Sequence, residues 1–147
     1  TVLLLKYAAL LSLLVVAEPG KEWALLLFPA LSRWTMVVLL GVFPYVRAQG
    51  LGSPFHGSGI KISTTVAGLT ALAAAVLLGG FAGIGLLLGA TALALFMGWK
   101  MVKSLDGLTG DTYGATNEII EMAVILVATV LVEHEWLEPL PDLLDRF

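Results

Sequence analysis

Between Thr64 and Trp99 the chain runs for 36 residues without a charged side chain. About 20 apolar residues cross the hydrocarbon core of a bilayer, so this run is too long for one span and right for two. The join falls at Gly79-Gly80-Phe81-Ala82-Gly83, and the spacing predicts a tight helical hairpin. Glycines four apart, at Gly79 and Gly83 and again at Gly85 and Gly89, are expected to let backbones approach closely.

The remainder of the chain extends this reading. Further apolar runs cover Val2 to Ala17, Trp23 to Phe43 and Ala115 to Val132, separated by Glu18-Pro19-Gly20-Lys21-Glu22 and by two polar loops, Pro44 to Ser63 and Lys100 to Gly114. Hydrophobic residues make up 59% and charged residues 13% of the 147. A soluble domain carries about 25% charge, so lipid is the solvent for most of this surface. Continuous runs without period-two alternation exclude a barrel and leave helices, which satisfy their own backbone hydrogen bonds in hydrocarbon. The expected fold is all-α, a polytopic transmembrane bundle of about five spans over residues 1–132, followed by an acidic tail over 133–147.

Several function classes drop out. A net charge of −3 with no basic run argues against nucleic acid as a partner. With no cysteine, thiolate metal sites and cysteine nucleophiles are absent. No stretch is long enough for a separate water-soluble catalytic domain, and the partner of the surface is the lipid bilayer. A homo-oligomer is compatible with the sequence. Five spans would place Arg47, Lys61, Lys100 and Lys103 on one face and Lys21 and Arg146 on the other. The positive-inside rule then puts both long loops in the cytoplasm.

The richest chemistry lies from Asp106 to Glu121, where glycines flank Asp111, Thr109 and Thr112, and a helix then enters the membrane carrying Asn117, Glu118 and Glu121. If that helix already includes Asp111, Glu118 lies about 20° and Glu121 about 80° around the axis from it. Carboxylates below the headgroups are costly unless paired, protonated or bound to a cation. Hard oxygen ligands with no nearby His or Cys suit Mg²⁺, which suggests phosphoryl transfer. The plainer reading is two acids favoured by the helix dipole, with Asp111 as N-cap.

Arg33, in Leu31-Ser32-Arg33-Trp34, is expected to face the bundle interior and to pair with either Glu118 or a phosphate. Arg47, in its glycine-containing loop, is either a phosphate clamp or a topology-setting charge. Lys6 reads as a snorkelling residue, and His56 and His134 as solvated ones.

Three segments resemble adenosylcobinamide-GDP ribazoletransferases, also called cobalamin synthases: Leu31 to Trp34, Phe43-Pro44-Tyr45-Val46-Arg47 through Gly50-Leu51-Gly52, and above all Gly107-Leu108-Thr109-Gly110-Asp111-Thr112-Tyr113-Gly114-Ala115-Thr116-Asn117-Glu118. The resemblance covers Thr1 to Val132. It implies a Mg²⁺-dependent enzyme of the prokaryotic cytoplasmic membrane that joins adenosylcobinamide-GDP to α-ribazole or its 5′-phosphate, releasing GMP. Asp111, Glu118 and Asn117 would be catalytic, with Asp111, Glu118 and Glu121 toward the metal. Arg33, Arg47, Thr109 and Thr112 would bind substrate. The family also carries an Asp-rich motif in its N-terminal half that nothing here matches, and the chain opens at Thr1 inside an apolar run. It is therefore read as the C-terminal part of a longer membrane protein. The competing readings are another membrane phosphotransferase for nucleotide-activated alcohols, and a transporter using Arg33 and Glu118.

Overall fold

The computed structural model describes residues 1–15, 21–44, 60–137 and 139–140. Among the described residues the fold is built on four helices: α1 (Val2–Val15), α2 (Lys21–Val42), α3 (Ile60–Leu105) and α4 (Gly110–Glu133). No strand occurs among the described residues. Helices α2, α3 and α4 are each long and apolar enough to cross a membrane, as a membrane protein requires. The described part of α1 has 14 residues, fewer than a full span needs.

Helix α3 is two arms. Its backbone leaves helical geometry at Gly80, with φ 53° and ψ −134°, a conformation that a side chain disfavours. The expected hairpin is there, and Trp34 of α2 shows the arms folding back on one another. Its indole N–H donates to Thr91 Oγ1 of the second arm at 3.1 Å, while its ring lies against Gly68 of the first. At the turn the arms come so close that a Cβ on Gly83 would run into the carbonyl oxygen of Ala75. Ala71, Ala75, Ala90 and Ala94 are buried along the arms, which small residues allow. Gly85 and Gly89 behave otherwise. Nothing approaches within 4 Å of a Cβ built there, and both line an open apolar groove of about 460 Å³ between the second arm and α4. Their four-residue spacing brings no backbone together within this chain.

Helix α2 is central. It packs on α3 and α4, and α1 packs on α4. Pro44 O accepts from Leu108 N at 2.9 Å, which ties the end of α2 to the entry of α4 and sets the two antiparallel. Apolar side chains such as Leu4, Val15, Leu69 and Leu88 point outward, as lipid-facing positions do.

Element boundaries depart from expectation around the polar loops. Helix α3 begins at Ile60, inside the expected first loop, and continues to Leu105, through residues expected to be loop. Lys100 stacks over Phe96 at 5.7 Å and Lys103 over Trp99 at 4.2 Å, so these charges sit on a helix emerging from the apolar layer. The helix stops where Asp106 (φ 61°) and Gly107 (φ 152°) turn the chain. The tail also starts with structure: the Trp136 and Leu137 N–H groups donate to Leu131 O, and Leu137 is buried against Gly79 at the hairpin turn.

Candidate active site

The entry of α4 is built by Thr109. As N-cap it has extended backbone (φ −124°, ψ 167°), and its Oγ1 accepts from Thr112 N at 3.4 Å. Thr112 Oγ1 in turn accepts from Thr109 N at 2.8 Å, completing a capping box. Both hydroxyls expected to bind substrate are thus engaged in starting the helix, and the N-cap is Thr109 and not Asp111. Asp111 sits exposed in the first turn, where the helix dipole favours a negative charge.

Two turns further in, α4 meets α1 and α2 in a buried polar cluster. Glu121 is 5% exposed and all its visible partners are donors. Its Oε1 accepts from Ser32 Oγ at 3.0 Å and from Asn117 Nδ2 at 3.0 Å. Its Oε2 is paired with Lys6 Nζ. Lys6 Nζ also reaches Glu118 Oε2 at 3.2 Å, so one ammonium serves two carboxylates. The Lys6 side chain is 17% exposed, that of Glu118 42%. Asn117 Oδ1 accepts from Arg33 Nη1 at 3.4 Å, and Arg33 Nη1 also approaches Met36 Sδ at 3.6 Å. Ser32, fully buried, sits one turn after Pro29, whose carbonyl also lies 3.1 Å from its hydroxyl.

Several expectations are corrected by this geometry. Lys6 does not snorkel away from the site, because two carboxylates hold it. Arg33 does not pair with Glu118, whose partner is Lys6, and its side chain is exposed on this chain instead of facing the bundle interior. Of the three carboxylates expected toward the metal, Glu118 and Glu121 share Lys6 while Asp111 lies exposed in the first turn of α4, and no group of three or more His, Cys, Asp or Glu is found together among the described residues. Arg47 and His56 lie outside the described residues. His134 is exposed at the end of α4, as a solvated residue should be.

Lys6 and Ser32 are the residues that sequence reasoning missed. The signal for Lys6 was present: an ammonium inside Leu3-Leu4-Leu5-Lys6-Tyr7-Ala8 falls under the same expectation that singled out Arg33, namely that a charge in an apolar helix has a partner. Ser32 lies in the segment Leu31 to Trp34 that carries part of the resemblance, but its residue type alone gave no signal, since hydroxyls are common in membrane helices.

The segment that closes one wall of this cluster, Gly107 to Glu118, is the one on which the resemblance mainly rested. The family profile for cobalamin-5-phosphate synthase matches residues 1–129. The chain belongs to that family. Among curated relatives, the adenosylcobinamide-GDP ribazoletransferase of Pseudomonas fluorescens is 41% identical over 126 residues, covering 85% of this chain and 50% of the relative. The proteins of the same name from Ectopseudomonas mendocina and Desulfitobacterium hafniense are 44% and 36% identical, covering 84% and 86% of this chain and 49% and 50% of each relative. The chain therefore spans about half the length of the relatives it matches. No solved structure matches it. Within this family, the chain supplies a helix cap, a carboxylate pair that shares one lysine, and an arginine held by an asparagine.

Proposed function

We propose that this chain is part of a membrane transferase that joins adenosylcobinamide-GDP to α-ribazole or its 5′-phosphate, releasing GMP, in the last steps of cobalamin biosynthesis. One observation carries the reading: the family segment Gly107 to Glu118 folds so that Asn117 and Glu118 face α1 and α2 and meet Lys6 and Arg33. Release of GMP from a GDP-activated alcohol breaks the pyrophosphate bond. A hydroxyl of the ribazole forms the new bond to the phosphorus that stays on the cobinamide, its proton leaves, and GMP departs with the bonding electrons.

Such a reaction asks little covalent chemistry of the protein and much neutralisation of phosphate charge. Arg33 suits that task. One of its nitrogens is held by Asn117, and its guanidinium is exposed on this chain, free to meet two phosphate oxygens at once. Arg47 is the second proposed phosphate ligand. Glu118, partly exposed, and Asp111, exposed in the first turn, are the carboxylates open enough to bind Mg²⁺. They lie roughly 10 Å apart along the helix, so each would supply one ligand and leave the rest to water, phosphates and other residues. When bound, Mg²⁺ neutralises phosphate charge and assists the leaving group. About five spans, with the arms of α3 crossing separately and the polar loops in the cytoplasm, complete the reading.

The test is GMP release by the purified full-length protein from adenosylcobinamide-GDP and α-ribazole phosphate with Mg²⁺, beside Asp111→Asn, Glu118→Gln and Glu133→Gln. Turnover that is lost in the first two and kept in the third supports the function and the site together. A folded wild-type protein that releases no GMP rejects the assignment.

A further inference from the structure

We infer that Lys6 Nζ fills the cation position between Glu118 and Glu121, so that Glu121 is a positioning residue acting on Arg33 through Asn117, and not a ligand of a divalent metal. The claim about Arg33 rests on the proposed phosphate-binding role; the claim about Glu121 does not.

The donors around Glu121 carry the argument. A divalent cation wants oxygen lone pairs directed at it. Around Glu121 the neighbours direct protons instead: the Ser32 hydroxyl and the Asn117 amide N–H on Oε1, and the Lys6 ammonium on Oε2. Entry of a metal would strip these bonds from a carboxylate that is 5% exposed and would bring a second cation beside Lys6. Glu118 differs, because its side chain is 42% exposed and Lys6 engages only its Oε2.

Direction then passes along the chain of contacts. Because Asn117 gives Nδ2 to Glu121, its Oδ1 faces Arg33 Nη1. The reverse amide orientation would set donor against donor at Arg33 and acceptor against acceptor at Glu121. A glutamine at 121 cannot replace the carboxylate. With its oxygen toward Asn117 and Ser32 its amide N–H faces the Lys6 ammonium, and turned over it sets N–H against the Asn117 amide N–H. Lys6, which joins α1 to α4, thus holds Glu121 in place, and α1 takes part in aiming Arg33 through Glu121 and Asn117.

The full-length protein in lipid nanodiscs allows three measurements on Glu121→Gln, Lys6→Met, Lys6→Arg and the double variant Lys6→Met/Glu121→Gln. In thermal unfolding, Lys6→Met lowers the midpoint by leaving a buried carboxylate without its cation, and the added Glu121→Gln restores at least half of the loss. In Mn²⁺ binding followed by electron paramagnetic resonance, Glu121→Gln matches the wild type within about fivefold, whether the wild type binds strongly or not at all. In turnover, Glu121→Gln and Lys6→Met raise KM for adenosylcobinamide-GDP by about tenfold, and Lys6→Arg recovers most of it. Additive losses of midpoint, or Mn²⁺ binding weakened more than about fivefold by Glu121→Gln, overturn the inference. If the wild type releases no GMP, the proposed function fails while unfolding and Mn²⁺ binding still decide the role of Glu121.

Discussion

The indole N–H of Trp34 donates to Thr91 Oγ1 at 3.1 Å, and the same hydroxyl donates to Leu87 O at 2.7 Å. Thr91 therefore completes its α-helical back-bond and still offers a lone pair to α2. Trp34 belongs to a segment shared with the family, and here its evident work is to join α2 to both arms of α3.

Trp34→Phe removes the donor without stranding Thr91, whose own proton stays bonded to Leu87 O. A hydrogen bond of this kind inside a membrane protein contributes about 0.5 to 1.5 kcal/mol, and the smaller ring loses some contact with Gly68. The expected result is a destabilisation of about 1 kcal/mol in reversible unfolding from detergent micelles. No change in the unfolding midpoint would mean that the bond does not help hold the helices together.

Glycines of the hairpin divide into two kinds that alanine substitution distinguishes. A Cβ at Gly83 meets the Ala75 carbonyl, a backbone atom that can move only with its helix, so Gly83→Ala should displace the turn and cost several kcal/mol. Gly89→Ala meets nothing and should be neutral or slightly stabilising, by up to about 1 kcal/mol from helix propensity. Expression and thermal stability of the two variants, measured side by side, check the contrast. Equal behaviour would contradict the close approach at the turn.

Thr109 supplies a third test. Its hydroxyl caps α4, so Thr109→Ala should cost about 1 kcal/mol, and Thr109→Asp, another good cap, should retain most of the stability. The two roles for this residue then part in substrate binding. If the hydroxyl only caps, Thr109→Asp keeps KM for adenosylcobinamide-GDP; if it touches a phosphate, the new negative charge raises KM sharply. Steady-state kinetics of a variant of near-wild-type stability reads the difference.

What was legible in the sequence follows a physical line. The hairpin was legible because an uncharged run too long for one span must turn, and Gly80 is where the φ of 53° occurs. Glu121 and Asn117 were legible as residues of interest because a polar group in an apolar helix needs a partner, but the identity of that partner was not. Lys6 and Ser32 lie 115 and 89 residues from Glu121, and no local pattern encodes so distant a meeting. The extension of α3 through Lys100 and Lys103 was hidden for another reason: charge marks the edge of the apolar layer, and a helix can continue past that edge. Polarity located the boundary of the membrane and not the end of the helix.

Arg33→Lys separates the charge of that residue from its shape. The side chain is exposed, so the change should move stability by less than about 0.5 kcal/mol. A lysine keeps the positive charge but loses the planar fork that meets two phosphate oxygens together. On the proposed function, KM for adenosylcobinamide-GDP should rise by about tenfold, with a smaller change in kcat if the contact is made equally in the ground and transition states. Arg33→Met should go further, since it removes the charge as well. Initial-rate measurements of GMP release over a range of adenosylcobinamide-GDP concentrations check both variants. Wild-type kinetics in Arg33→Met would remove Arg33 from the site and leave the phosphates to other cations.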